Sequence, residues 1–411
     1  MATYEALRQA MDHRMLAADT TRVAALAKVL QQLGHPEQRY HIIHLAGTNG
    51  KGSTGAWLAH GLRNAGYTVG HFHSPAMAGE LDQTRLNDIS ITAAEFAACM
   101  VEIAQLADVE YAAFSDFEWD VLTALWWYAQ QGVDWVVLEA GLGGAYDATN
   151  AISAPDFAVF THIALDHTAI LGPTVAAIAE NKAQIIKPNT RVVVAPQQQA
   201  AALAVLKSVA SAHHAQSFTV ADPNWQASAQ TWQGRDVNYH GHQFHLKQLG
   251  DYQLANAACA WLVWEQLGLA NEALAQAMAQ VQLPGRLQVI QQAPRVVLDA
   301  GHNPDALPKA LATVRELLPA GGRLLVVAGF LKDKAVAALA QALSVADEVW
   351  VTTPDHPTRA LAAKQLQPLV PNSHLAADVH AGLAAAKAAA RRQDVVMVAG
   401  SFYLIGALLD D

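Results

Sequence analysis

The run Gly47-Thr48-Asn49-Gly50-Lys51-Gly52-Ser53 limits what this chain can fold into more than any other stretch. It follows the apolar segment Ile42-Ile43-His44-Leu45-Ala46. It precedes residues 53–65, where helical spacing puts Trp57, Leu58 and Leu62 on one face and Gly66 supplies a stop. Strand, glycine-rich loop with a lysine, then helix is an order that holds phosphates. The glycines let backbone N–H groups point inward, and the helix N-terminus adds partial positive charge. Lys51 would reach the outer phosphates, and Ser53 or Thr54 would offer a hydroxyl to magnesium. ATP or a close relative is the expected ligand. The usual loop has four residues between its glycines and then Gly-Lys-Ser/Thr. Here only Thr48 and Asn49 separate Gly47 from Gly50, and Gly52 intervenes before Ser53.

The rest of the chain repeats the strand–helix alternation. Residues 133–138, 157–161, 191–195, 296–298, 324–328, 348–352 and 395–399 are short, β-branched and apolar, as strands buried on both faces are. Helical stretches such as 117–131 and 174–184 lie between them. The pattern predicts an α/β fold of repeated βαβ units with a mostly parallel sheet. Residues 215–248 are polar, carry turn signals at Asp222-Pro223-Asn224 and Gln233-Gly234, and predict a small antiparallel insertion on the first domain. Pro284-Gly285 marks a boundary, after which a new strand–helix series begins. Two domains are expected: 1–284, a P-loop ATP-binding domain, and 285–411, a smaller C-terminal Rossmann-like α/β domain.

With 411 residues the chain can bury two cores. The net charge of −10 and the lack of a basic block argue against nucleic-acid binding. Cys99 and Cys259 are the only cysteines, too few for a disulfide framework. The start shows no signal-peptide pattern, and the apolar run at 121–129 is too short for a bilayer. A cytoplasmic location, with no membrane partner, follows by elimination.

Candidate chemistry gathers at strand ends. Glu139 follows the strand 133–138 and precedes Ala140-Gly141-Leu142-Gly143-Gly144, where a metal-orienting carboxylate is expected. A helix-capping or loop glutamate is the alternative. Asp166-His167 follows the strand 157–161, and His167 could bind a metal or a phosphate, or simply be solvated. Ser74-Pro75 could complete a magnesium shell or form an ordinary turn. Later, Asp299-Ala300-Gly301-His302-Asn303-Pro304 places a carboxylate and an imidazole at one strand end, with a helix start capped by Asn303 or Asp299 as the alternative. Arg286 could act on a phosphate as an arginine finger does. His240, His242 and His245 have loose zinc-like spacing, a weak signal.

Taken together, these motifs resemble the folylpolyglutamate synthase/dihydrofolate synthase family of the Mur ligase superfamily. The resemblance rests on the glycine loop, Ser74-Pro75, Phe114-Ser115-Asp116-Phe117-Glu118, Glu139 to Gly144 and Asp147-Ala148-Thr149-Asn150. It continues through Leu165-Asp166-His167-Thr168, Lys182 with Ile185-Ile186-Lys187-Pro188, Pro284-Gly285-Arg286, Asp299 to Pro304, and Gly400-Ser401-Phe402-Tyr403. It implies an ADP-forming amide ligase. ATP would phosphorylate a folate or pteroate carboxylate, and the amine of L-glutamate would attack the acyl phosphate. By the same resemblance Gly47, Thr48, Asn49, Gly50, Lys51, Gly52 and Ser53 hold the phosphates. Two magnesium sites are implied, with Ser53, Ser74, Glu139, His167 and Lys182 as their ligands. Lys182 matches a lysine that the family carbamylates, which would turn a cation into an anion able to approach the metal. Asn256, Arg286 and Asp299 match ATP-contacting positions, and His302 and Ser401 match the glutamate and phosphate side. The implied catalytic set is therefore Lys51, Lys182, His167, Arg286 and His302, in a monomer whose second domain closes on the first.

The chain departs from the family pattern on the acceptor side. Residues 76–86 keep only Arg85 of the folate-facing segment, and Gly-Gly-Arg becomes Gly143-Gly144-Ala145. Lys-Ala-Gly becomes Lys182-Ala183-Gln184, and Asp-Lys-Asp becomes Asp333-Lys334-Ala335. These departures leave open two other readings: a superfamily ligase for another carboxylate, and a nucleotide-binding regulatory protein without ligase activity.

Overall fold

A computed structural model describes residues 3–13, 20–76 and 79–409. Its strands, in chain order, are β1 His41–Ala46, β2 Val69–Phe72, β3 Thr84–Leu86, β4 Ile89–Ser90, β5 Trp135–Glu139, β6 Phe157–Phe160, β7 Arg191–Val194 and β8 Ser217–Val220. They form one sheet of order β4-β3-β2-β5-β1-β6-β7-β8. From β2 to β8 every pairing is parallel, and β3 and β4 add an antiparallel edge. The next strands are β9 Trp225–Ala227, β10 Arg235–Tyr239 and β11 His242–Leu246, a separate three-stranded sheet. The last six are β12 Gln288–Gln292, β13 Arg295–Asp299, β14 Leu324–Ala328, β15 Glu348–Val351, β16 His374–Leu375 and β17 Val395–Ala399. They form a third sheet, β12-β13-β17-β14-β15-β16, parallel except at its β12 edge.

The seven apolar runs all become parallel strands, within a residue or two of the expected limits. Their burial on both faces explains their near-continuous apolar character. The helix Asp116–Gln131 packs on one face of the large sheet. It opens with a capping box in which Ser115 and Glu118 exchange side-chain and backbone bonds, and it ends at Gly132 in a left-handed conformation. Part of the Phe114 to Glu118 motif is therefore a helix start, which its Ser-x-x-Glu spacing encodes.

Packing divides the chain into two compact units. The first takes the chain up to Trp225 with Tyr239–His242 and Ala255–Met278, and the second takes Gln226–Asn238, Gln243–Leu254 and the chain from Ala279 onward. The segment 215–248, expected as an antiparallel insertion on the first domain, is thus split. Ser217–Val220 pairs parallel with β7, because the helix Ala200–Ala212 before it makes a βαβ crossover. Most of the remainder packs in the second unit, where Trp232 donates its indole N–H to Leu317 O at 3.1 Å and lies under the Arg295 guanidinium. No helix among the described residues is long and apolar enough to cross a membrane.

Candidate active site

The phosphate loop is built at the carboxyl edge of β1. The helix after it begins at Lys51, two residues before the expected start, and runs to Asn64. Gly50 is its N-cap, with φ 98°. Only glycine takes that conformation readily, and a Cβ there would also collide with Oδ1 of Asn256. Asn256, 206 positions away in sequence, thereby seats against the loop, and its carbonyl accepts from Thr54 Oγ1 at 3.4 Å. Thr48 and Asn49 donate their N–H groups to His162 O at 2.8 and 3.2 Å, which anchors the loop to the chain beyond β6.

Two lysines meet at this loop. Lys51 Nζ and Lys182 Nζ each donate to the Gly47 carbonyl, both at 3.0 Å. Lys182 is only 4% exposed. Burial, then the nearby Lys51 charge, pull its pKa down to about 7 against the opposing pull of Asp147 and Asp166. Asp147 is itself buried and accepts from Leu142 N at 2.7 Å and Thr149 N at 3.0 Å. His167 caps the short helix Thr168–Leu171 from a left-handed conformation, and its N–H bonds Asp166 Oδ1 at 2.8 Å.

Glu139 is the last residue of β5 and is 2% exposed. β2 runs parallel beside β5, so Ser74, two residues beyond β2, emerges at the same edge as Glu139. Ser53 is buried on the first turn of the loop helix. These are hard oxygen donors. Among the described residues no group of three or more His, Cys, Asp or Glu is placed to hold a metal. Magnesium commonly takes one or two carboxylates and completes its shell with phosphates and water. The three histidines of zinc-like spacing go to different partners. His240 bonds Glu265 at 2.8 Å, His242 stacks on Trp261, and His245 bonds Asp236 at 2.9 Å.

In the second unit the named residues gather at the carboxyl ends of the paired strands β13 and β17. Asp299 is buried and accepts from Leu287 N at 3.0 Å and Gly301 N at 2.8 Å. Burial raises its pKa, and the Arg286 charge opposes that rise. The Arg286 guanidinium lies 4.8 Å from the Phe402 ring centroid, and His302 packs on the same ring at 5.4 Å. His302 Nδ1 is 2.9 Å from Ala300 O. Ser401 caps the helix Phe402–Gly406 through Tyr403 N. Asn303 accepts from Asp305 N and Ala306 N and so braces the start of the helix Ala306–Glu316, whose N-cap position is Asp305, neither Asn303 nor Asp299.

The segment after Ser74-Pro75 is tied to the N-terminal helix Tyr4–Ala10. Arg8 bonds Asp120 at 2.8 Å and Glu80 at 3.1 Å, and Gln83 bonds Asp120 at 3.3 Å. Met77 and Ala78, part of the segment 76–86, lie outside the described residues. Sequence reasoning missed His71, whose Nε2 is 3.2 Å from Glu139 Oε1. The pairing depends on strand order, which local sequence does not carry.

Residues 45–264 match the Mur ligase middle domain, and residues 285–402 match the Mur ligase glutamate ligase domain. The dihydrofolate synthase/folylpolyglutamate synthase of Escherichia coli is 33% identical over 391 residues, covering 93% of this chain and 89% of that protein. The structure of E. coli FolC in complex with DHPP and ADP superposes with a TM-score of 0.86 at 30% identity, covering 99% of this chain and 96% of that one. A bifunctional folylpolyglutamate synthase/dihydrofolate synthase with Mn, AMPPNP and L-glutamate bound gives a TM-score of 0.82 at 31% identity, covering 97% and 94%.

Proposed function

The chain belongs to the Mur ligase family, in its folylpolyglutamate synthase/dihydrofolate synthase branch, and from that membership we infer how its residues act. It is an ATP-dependent, ADP-forming ligase that joins L-glutamate to a folate. A carboxylate cannot be attacked by an amine until one of its oxygens becomes a leaving group. The acceptor carboxylate therefore attacks the γ-phosphorus of ATP, releasing ADP and leaving an acyl phosphate. The glutamate amine then attacks the acyl carbon, phosphate departs and the amine proton is lost.

The convergence of Lys51 and Lys182 on Gly47 O, beside a glycine-capped helix N-terminus, is the observation that carries this assignment of roles. In it, the loop N–H groups and Lys51 hold the phosphates of ATP, and Asn256 keeps the loop in place. Ser53, Ser74 and Glu139 would hold one divalent ion, which when bound offsets phosphate charge. His167 and Lys182 serve a second. Lys182 is suited to carbamylation, because a lysine with a pKa near 7 is substantially a neutral amine at neutral pH, and only the neutral amine attacks carbon dioxide. Carbamylation would also replace a cation–cation pair with an anion beside Lys51. Arg286 and Asp299 serve ATP contact, and His302 and Ser401 serve the glutamate and phosphate side. The second magnesium, the carbamate, a monomeric state, a cytoplasmic location and the domain limits 1–284 and 285–411 belong to this proposal.

Glutamate-dependent ADP release with magnesium-ATP tests the reading, with dihydropteroate and tetrahydrofolate compared as acceptors. Turnover with dihydropteroate alone assigns dihydrofolate synthesis, turnover with tetrahydrofolate alone assigns tail extension, and turnover with both assigns both. Silence with both acceptors would overturn it.

A further inference from the structure

Glu139 is 2% exposed, and burying a carboxylate without hydrogen bonds is costly. The neighbouring strand answers this. On β2, His71 pairs with Val137 of β5, and side chains two apart on a strand share a face. His71, Val137 and Glu139 therefore point to one side of the sheet, with Glu139 diagonally ahead of His71. Gly70 and Phe72 point to the other side, where a Cβ on Gly70 would meet Tyr128 at 2.7 Å and Phe72 packs on Phe117. On the His71 side lies the helix Lys51–Asn64. A Cβ at Gly55 would sit 2.8 Å from Glu139 Oε1 and 3.3 Å from His71 Nε2, so the glycine leaves room for the pair. Because a carboxylate only accepts, the 3.2 Å contact places the hydrogen on His71 Nε2.

We propose that His71 is a positioning residue for the divalent cation: its imidazole N–H holds Glu139 Oε1 and orients that carboxylate for the metal. The inference rests on the reading of Glu139 as a cation ligand. Hydrogen-bonded partners of metal-binding carboxylates set ligand orientation, and losing one costs about 10- to 100-fold in metal affinity. His71 does not itself bind the ion, since magnesium prefers oxygen donors. It touches neither ATP nor acceptor in this scheme. Its loss should appear in the metal dependence rather than in kcat at saturating metal.

The test measures Mn2+ binding to the full chain in saturating AMPPNP, by electron paramagnetic resonance of free Mn2+, for wild type, His71→Leu, His71→Gln and Glu139→Gln. His71→Leu removes the N–H, and His71→Gln keeps an N–H that can reach the carboxylate. The expected result is a Mn2+ Kd raised about 10- to 100-fold in His71→Leu, largely restored in His71→Gln and also raised in Glu139→Gln. If His71→Leu does not fold, His71→Met, flexible and without an N–H, takes its place. Weakened binding in Glu139→Gln with wild-type affinity in the His71 variants would overturn the role of His71 alone. Wild-type affinity in Glu139→Gln would overturn the reading of Glu139 and the inference with it.

Discussion

Lys51 and Lys182, 131 positions apart, share an acceptor: both side-chain nitrogens donate to the carbonyl of Gly47 at 3.0 Å. In the proposed scheme the phosphate chain binds here, and the arrangement lowers the proton affinity of the more buried lysine. Lys182 responds because it has lost water, and Lys51 reinforces the effect.

The pH dependence of Lys182 follows from this. Its pKa falls from 10.5 to about 7 in the folded chain. Between those values the folded state binds fewer protons than the unfolded state, so stability gained from this group rises with pH across that window. The neutral amine dominates only above about pH 7. Activity should therefore rise as pH passes 7 and rise further with added bicarbonate. Lys182→Ala should lose at least about 100-fold in kcat, a loss typical of removing a transition-state charge contact, with partial rescue by acetate as a small carboxylate. Initial rates at pH 6 and 8, with and without bicarbonate, decide it; full activity in Lys182→Ala would remove the carbamate from the scheme.

Lys51→Ala should keep the fold and lose turnover by about 100-fold or more, since in the proposed scheme the lysine stabilises charge at the phosphates. Circular dichroism and coupled ADP release measured on the same sample separate the two effects. Wild-type rates in this variant would contradict the phosphate-loop assignment.

Gly50→Ala should weaken ATP binding more than it weakens the fold. Its φ of 98° disfavours any side chain, and the new Cβ would press on the Asn256 amide. Pairing it with Asn256→Ala relieves the collision but not the backbone strain, so calorimetry should show only partial recovery of nucleotide affinity in the double variant.

The second unit carries its own acid-sensitive support. Asp394 is buried and accepts from Arg323 N at 2.9 Å, Arg323 Nη2 at 2.8 Å and Arg391 N at 2.9 Å. These bonds hold its pKa down at about 2 against the opposing effect of burial. Its stabilising contribution is complete above about pH 4 and is lost as pH falls toward 2. Asp394→Asn should cost about 2 kcal/mol at pH 7 and little at pH 2. Denaturant melts at several pH values would show the two curves converging in acid.

The sequence by itself determined the α/β class, the parallel strands and the strand–loop–helix around Lys51, because apolar runs, helical spacing and glycine act locally. It also named Glu139, Lys182, Asp299 and His302 through motifs, each now found at or near a strand or helix end. Other relationships were not legible there. The sheet order places β2 beside β5, and β5 beside β1. Which side chains meet at strand ends therefore depends on crossovers and on the side-chain parity of each strand. Only the tertiary structure brought His71 to Glu139, Asn256 to Gly50 and Lys182 to Gly47. Only packing assigned most of 226–254 to the second unit, since burial of Trp232 and Leu249 there depends on residues far along the chain.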